Sequence, residues 1–70
     1  MNIDLIRKDI EKNINRNVII TVYGLRNKVA RYEGKLYKTY SNIFTIIQDG
    51  VEKSFSYNDY IIGDIKIKYL

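Results

Sequence analysis

Glu33-Gly34-Lys35-Leu36-Tyr37-Lys38-Thr39-Tyr40-Ser41-Asn42-Ile43-Phe44 is a run of strand formers broken by one glycine and one polar pair. Gly34 lacks a Cβ, so the strand can bend there and a second backbone can approach closely. A small β-barrel needs such a corner, because a few short strands close only if some of them turn. Ser41 and Asn42 supply the tight turn that sends the chain back into Ile43-Phe44-Thr45-Ile46-Ile47.

Working outward, alternation extends the first strand back to Val29. Ala30, Tyr32, Gly34 and Leu36 take the core side, and Arg31, Glu33, Lys35 and Tyr37 the solvent side. Gly24-Leu25-Arg26-Asn27-Lys28 is a basic turn, and before it Val18, Ile20 and Val22 alternate with Ile19, Thr21 and Tyr23. Ahead of that strand, Ile3, Ile6, Ile10 and Ile14 recur at spacings of three and four, which predicts a helix over residues 2–15 with one isoleucine face. Asn2 or Asp4 can cap its start. Its outer face is basic through Arg7, Lys8, Lys12 and Arg16.

On the other side, Ile43 to Gln48 is almost wholly apolar, as a strand covered on both faces would be. Asp49-Gly50 is a hairpin signal that returns the chain through Val51–Ser56. Tyr57-Asn58-Asp59-Tyr60 reads as one helical turn, with Asp59 expected to hold it by accepting backbone N–H groups. Asp64 to Leu70 alternates again, Ile65, Ile67 and Tyr69 inward and Lys66 and Lys68 outward.

The order predicts a mainly β fold: a five-stranded SH3-like or Sm-like small barrel with an N-terminal helix and a short helical turn before the last strand. Seventy residues make one domain, the helix in residues 1–16 and the barrel in 18–70. A chain this short buries only about 60% of its unfolded surface, so packing of large apolar side chains must hold it, with self-association open as an additional support.

Cysteine and histidine are absent, which removes disulfides, thiolate metal sites and the usual proton shuttle. Asp49, Glu52, Asp59 and Asp64 are scattered over turns, and no glycine loop cradles phosphate. No enzyme activity and no cofactor are expected. No apolar run approaches the ~20 residues that cross a bilayer, and no signal-peptide pattern opens the chain, so a cytoplasmic location without membrane contact is expected.

Lys and Arg outnumber Asp and Glu by 12 to 8, and the whole excess lies in residues 1–35. Such asymmetry suits a polyanionic partner or a solvated face. Of the tyrosines, Tyr32, Tyr57 and Tyr69 fall inward, whereas Tyr23, Tyr37 and Tyr40 can be exposed for stacking. The candidate partner-binding residues are therefore Arg26, Lys28 and Arg31 with Tyr37 and Tyr40, and the helix cations Arg7, Lys8, Lys12 and Arg16.

Gly24, Arg26 and Lys28, then Gly34, Leu36, Thr39, Tyr40 and Phe44, then Ser56, Tyr57 and Asp59 follow a pattern that resembles the Veg family of small bacterial proteins. The likeness runs over nearly the whole chain, with G-x-L-x-x-T-Y-x-x-x-F as its centre. Two places depart from it: Ser41 stands where proline is expected, and the hairpin near Gly50 is short. The resemblance implies an SH3-like barrel and a non-enzymatic regulator that stimulates biofilm formation through control of matrix-gene transcription. Two partner classes follow: a protein such as a transcription regulator, with a homodimer also open, or a nucleic acid bound by the basic first half.

Overall fold

The N-terminal helix, α1 (Ile3–Glu11), begins at Asn2, whose side-chain oxygen accepts the Asp4 N–H at 2.8 Å. The computed structural model describes residues 2–70, Leu25 by its backbone alone. The helix stops four residues short of the expected Asn15. Asn13 turns its amide back to donate to the Asp9 carbonyl at 2.8 Å, and Asn15 adopts a left-handed φ of 73°. That reversal lets Asn15 and Arg16 exchange backbone bonds with Leu36: Asn15 N–H to Leu36 O at 2.8 Å, and Leu36 N–H to Arg16 O at 3.0 Å. Ile6 and Ile10 are buried as the isoleucine spacing requires, and Ile3 and Ile14 pack at their margin.

Five strands follow: β1 (Asn17–Leu25), β2 (Lys28–Thr39), β3 (Ile43–Gln48), β4 (Val51–Ser56) and, after the short helix α2 (Tyr57–Ile61), β5 (Ile65–Tyr69). They form one antiparallel sheet in the order β4-β3-β2-β1-β5. The fold is thus mainly β with the two expected helices. The sheet is not closed, since β4 and β5 are its two edges. α2 links these edges in sequence and touches both, so the gap is bridged by a helix instead of a ladder.

Core and solvent sides follow the alternation read from the sequence. Val18, Ile20, Leu36 and Ile65 are buried, while Arg31, Glu33, Lys35 and Lys66 are exposed. In β3 the consecutive residues Phe44, Thr45 and Ile46 are all buried, so this strand is covered on both faces. Phe44 stacks on Phe55 and on Tyr57, both at 5.7 Å, and Tyr32 meets the edge of Phe55 at 5.6 Å. This aromatic chain joins β2, β3, β4 and α2 through one core.

Gly34 makes the close approach predicted for it: a Cβ there would fall on the Ile47 carbonyl, 2.9 Å from its carbon. The break in register lies further on. Leu36 pairs with Ile46 but Lys38 with Thr45, which leaves Tyr37 as the extra residue of a β-bulge. Buried Thr45 occupies the bulge, its hydroxyl accepting the Lys38 N–H at 3.2 Å.

Asp49 and Gly50 both have positive φ, 52° and 79°, as a primed two-residue hairpin requires. At α2 the expected capping role of Asp59 is not what holds the turn. Ser56 is the N-cap, its hydroxyl accepting the Asn58 N–H at 3.1 Å. The Asp59 side chain lies exposed in the first turn, and its main-chain carbonyl accepts the Asp64 N–H at 2.9 Å. A serine one residue before the helix has the extended backbone that aims its hydroxyl at the free N–H groups of the first turn.

Candidate interaction surface

The solvent face of the sheet is built by strand pairing across β2, β1 and β5. Thr21 lies between Arg31 and Lys66, and Ile19 between Glu33 and Lys68. With neighbouring strands about 4.8 Å apart, each row is about 10 Å wide. Exposed Tyr23 borders the first row, with the Lys66 ammonium 5.6 Å from its ring centroid. Of the cations expected to bind a partner, Arg31 is thus joined by Lys66 and Lys68, which the sequence reading left out. Alternation along β5 shows that both lysines face out; which strand they lie beside depends on non-local pairing.

Arg26 and Lys28 are exposed at the β1–β2 hairpin, where Asn27 takes the left-handed conformation at φ 55°. Tyr37 and Tyr40 lie elsewhere, at the β2–β3 corner. Tyr37 sits at the bulge with the Lys38 ammonium 5.1 Å from its ring, and the Tyr40 hydroxyl is 3.5 Å from Glu52 Oε2. Both are exposed.

The remaining cations lie on the opposite side of the sheet, because α1 docks through Ile6 and Ile10 on the core face. Arg7 and Lys8 are on α1 and Lys12 is its C-cap, whereas Arg16, expected on the helix face, falls beyond the helix beside β1 because the helix ends early. Two of them are already engaged. Arg7 pairs with Asp4 at 2.6 Å. Arg16 lies over the Tyr69 ring at 5.1 Å and donates to Asn13 Oδ1 at 3.2 Å. Lys8 and Lys12 are exposed. The nine candidate residues therefore occupy four places, the sheet face, the β1–β2 hairpin, the β2–β3 corner and the α1 side, and do not converge on one site.

Beside β5, on the α1 side, lies an open groove of about 200 Å³ lined by Leu5, Ile6, Asp9, Ile10, Tyr60, Ile67 and Tyr69. Leu5 is 65% exposed on its wall. Burial, with Asp9 adding to it, pushes the Tyr69 phenol above the ordinary tyrosine range, and Arg16 opposes this in part. Among the described residues, no cluster of three or more His, Cys, Asp or Glu could hold a metal ion, and no helix is long and apolar enough to cross a membrane.

The sequence profile described as the biofilm formation stimulator Veg matches residues 1–68 of the chain. The chain belongs to the Veg family. No curated protein matches it significantly. The Veg assignment supports a biofilm-related regulatory role. Several residues that carry the Veg likeness prove to be packing residues: Leu36, Phe44 and Tyr57 have no exposed surface. Gly24 and Gly34 are places of close approach, a Cβ at Gly24 falling 3.2 Å from Asp64 Oδ2. The Veg pattern thus accounts for this fold more than for a binding face, which leaves the exposed groups to define function.

Proposed function

We propose that this Veg-family chain works without catalysis, as an interaction module that binds a protein and thereby modulates transcription linked to biofilm formation. The observation that carries this reading is the groove between α1, α2 and β5. Its lining is apolar apart from Asp9 and the tyrosine hydroxyls, and Leu5 stands largely exposed on its wall. A chain this small has little apolar surface to spare from its core, so a groove of this kind with Leu5 exposed on its wall supports a contact surface. The test is affinity capture on the full chain from cell extract, with and without nuclease. A specific protein retained after nuclease and at raised salt supports the reading. Loss of all capture on nuclease treatment overturns it.

A second reading has its own observation. Arg31, Lys66 and Lys68 share the solvent face of the sheet with exposed Tyr23, the combination of phosphate-contacting cations and a stacking ring that suits a nucleic acid. Steep weakening of binding with salt would favour it over an apolar interface.

A further inference from the structure

Strand β5 is a sheet edge, and its hydrogen-bond phase is fixed at both ends. The Tyr23 N–H donates to the Asp64 carbonyl at 2.6 Å, and the Leu70 N–H to the Asn17 carbonyl at 3.0 Å. Antiparallel alternation then assigns Asp64, Lys66, Lys68 and Leu70 to β1. Ile65, Ile67 and Tyr69 therefore turn their N–H and C=O groups away from β1, and among the described residues no turn or loop backbone group takes them; Ile65 is buried, so Ile67 and Tyr69 form the open part of the edge. The side chains of Ile67 and Tyr69 line the groove, while those of Lys66 and Lys68 stand on the solvent face.

From this arrangement we propose that β5 receives an extended segment of a partner protein in which apolar and acidic residues alternate. The proposal rests on the protein-binding reading above and names the kind of segment it requires. An added strand would pair its backbone with Ile67 and Tyr69, the accessible part of the edge, since Ile65 is buried. Alternate side chains would enter the groove against Ile67, Tyr69 and Leu5, and those between them would stand beside Lys66 and Lys68, with Arg31 three strands away on the same face. Directly opposite side chains on paired strands lie about 5 Å apart, so carboxylates at those positions meet ammonium groups. The same charges disfavour a second copy of this chain. Two β5 edges joined antiparallel about Ile67 set lysine opposite lysine, which is the way edge lysines suppress self-pairing.

The probe is an end-blocked peptide alternating valine and glutamate, titrated into the ¹⁵N-labelled full chain, with the valine–lysine peptide as comparison. Amide shifts are expected at Ile65–Tyr69 and at Leu5, Asp9 and Tyr60. The amides of Ile67 and Tyr69 should exchange more slowly, and the acidic peptide should bind about tenfold tighter than the basic one. Lys66→Glu with Lys68→Glu should invert that preference, and Leu5→Glu should weaken both peptides; all three positions are exposed, so the fold is retained. Shifts along Val51–Ser56 instead, equal affinity for the two peptides, or no shift at millimolar peptide would overturn the proposal. So would concentration-dependent dimerisation in sedimentation that Leu5→Glu abolishes, since the occupant would then be a second copy. If extract capture yields a nuclease-resistant protein that the Lys66/Lys68 and Leu5 variants still bind fully, this site is wrong and the protein-binding reading stands. Capture that disappears with nuclease instead removes the protein-binding reading itself.

Discussion

The α-carbon of Gly34 lies so close to the carbonyl of Ile47 that no β-carbon fits between them. The obstacle is backbone of the neighbouring strand, which cannot step aside as a side-chain tip can. Gly34→Val is expected to destabilise the protein by more than about 1 kcal/mol, and Gly34→Ala to cost part of that. Chemical denaturation measures it; a midpoint unchanged in the valine variant would show that β2 and β3 can separate freely here.

The cap of α2 makes a paired comparison. Ser56→Ala removes the hydroxyl that accepts the Asn58 N–H and should cost about 1 kcal/mol. Asp59→Ala removes an exposed carboxylate and should stay within about 0.5 kcal/mol. Thermal melts of the two variants decide it. The reverse order of effects would restore Asp59 as the residue holding the turn.

Tyr57 is fully buried, and its hydroxyl has no hydrogen-bond partner among the described residues. Burial pushes its phenol above the ordinary tyrosine value, with Arg7 opposing this and Glu11 adding to it. A pKa raised in the folded state contributes stability that is whole below the unfolded value of about 10 and is lost as pH rises through the folded one. The melting temperature should therefore fall on the alkaline side, above about pH 10. Tyr57→Phe should flatten that fall and, at neutral pH, leave stability unchanged or raised by up to about 1 kcal/mol. Melts of both proteins across alkaline pH test both parts; Tyr69, shifted the same way, contributes to the slope that remains.

For the nucleic-acid reading, the cations to remove are those the sheet brings together. Arg31→Ala with Lys66→Ala should leave the melting temperature almost unchanged, because exposed charges add little to folding. The same pair should flatten the logarithmic salt slope of any nucleic-acid binding by up to about 2. Arg26→Ala with Lys28→Ala tests the hairpin tip in the same way. The readout is fluorescence anisotropy with DNA and RNA at several salt concentrations. Absence of wild-type binding even at low salt would remove this reading.

Local pattern carried most of the fold. The isoleucine spacing of α1, the alternation of β1, β2 and β5, and the Asp49-Gly50 turn each describe residues near one another in the chain, and each holds. What the pattern could not carry is what pairing decides. The bulge at Tyr37 exists because β3 meets β2 one residue out of step, and no residue in β2 alone announces it. Lys66 and Lys68 seemed to belong to an electrically neutral half of the chain until β5 was set beside β1. Arg7 and Arg16 look like free surface cations in sequence but are held by Asp4 and by Tyr69. Charge can be counted in a sequence, but its company is a property of the fold.

The place of β1 between β2 and β5 has a consequence for synthesis. β1 through β4 can zip together by successive hairpins, each closing a short loop, whereas Val18 finds its second neighbour only when Tyr69 arrives. A nascent chain that has left the ribosome as far as α2 therefore carries β1 as a bare edge of nine residues, rich in valine and isoleucine. In the finished protein that edge is replaced by five residues studded with lysine. β5 is thus a built-in cover for the segment most apt to pair with a neighbouring chain on the same polysome.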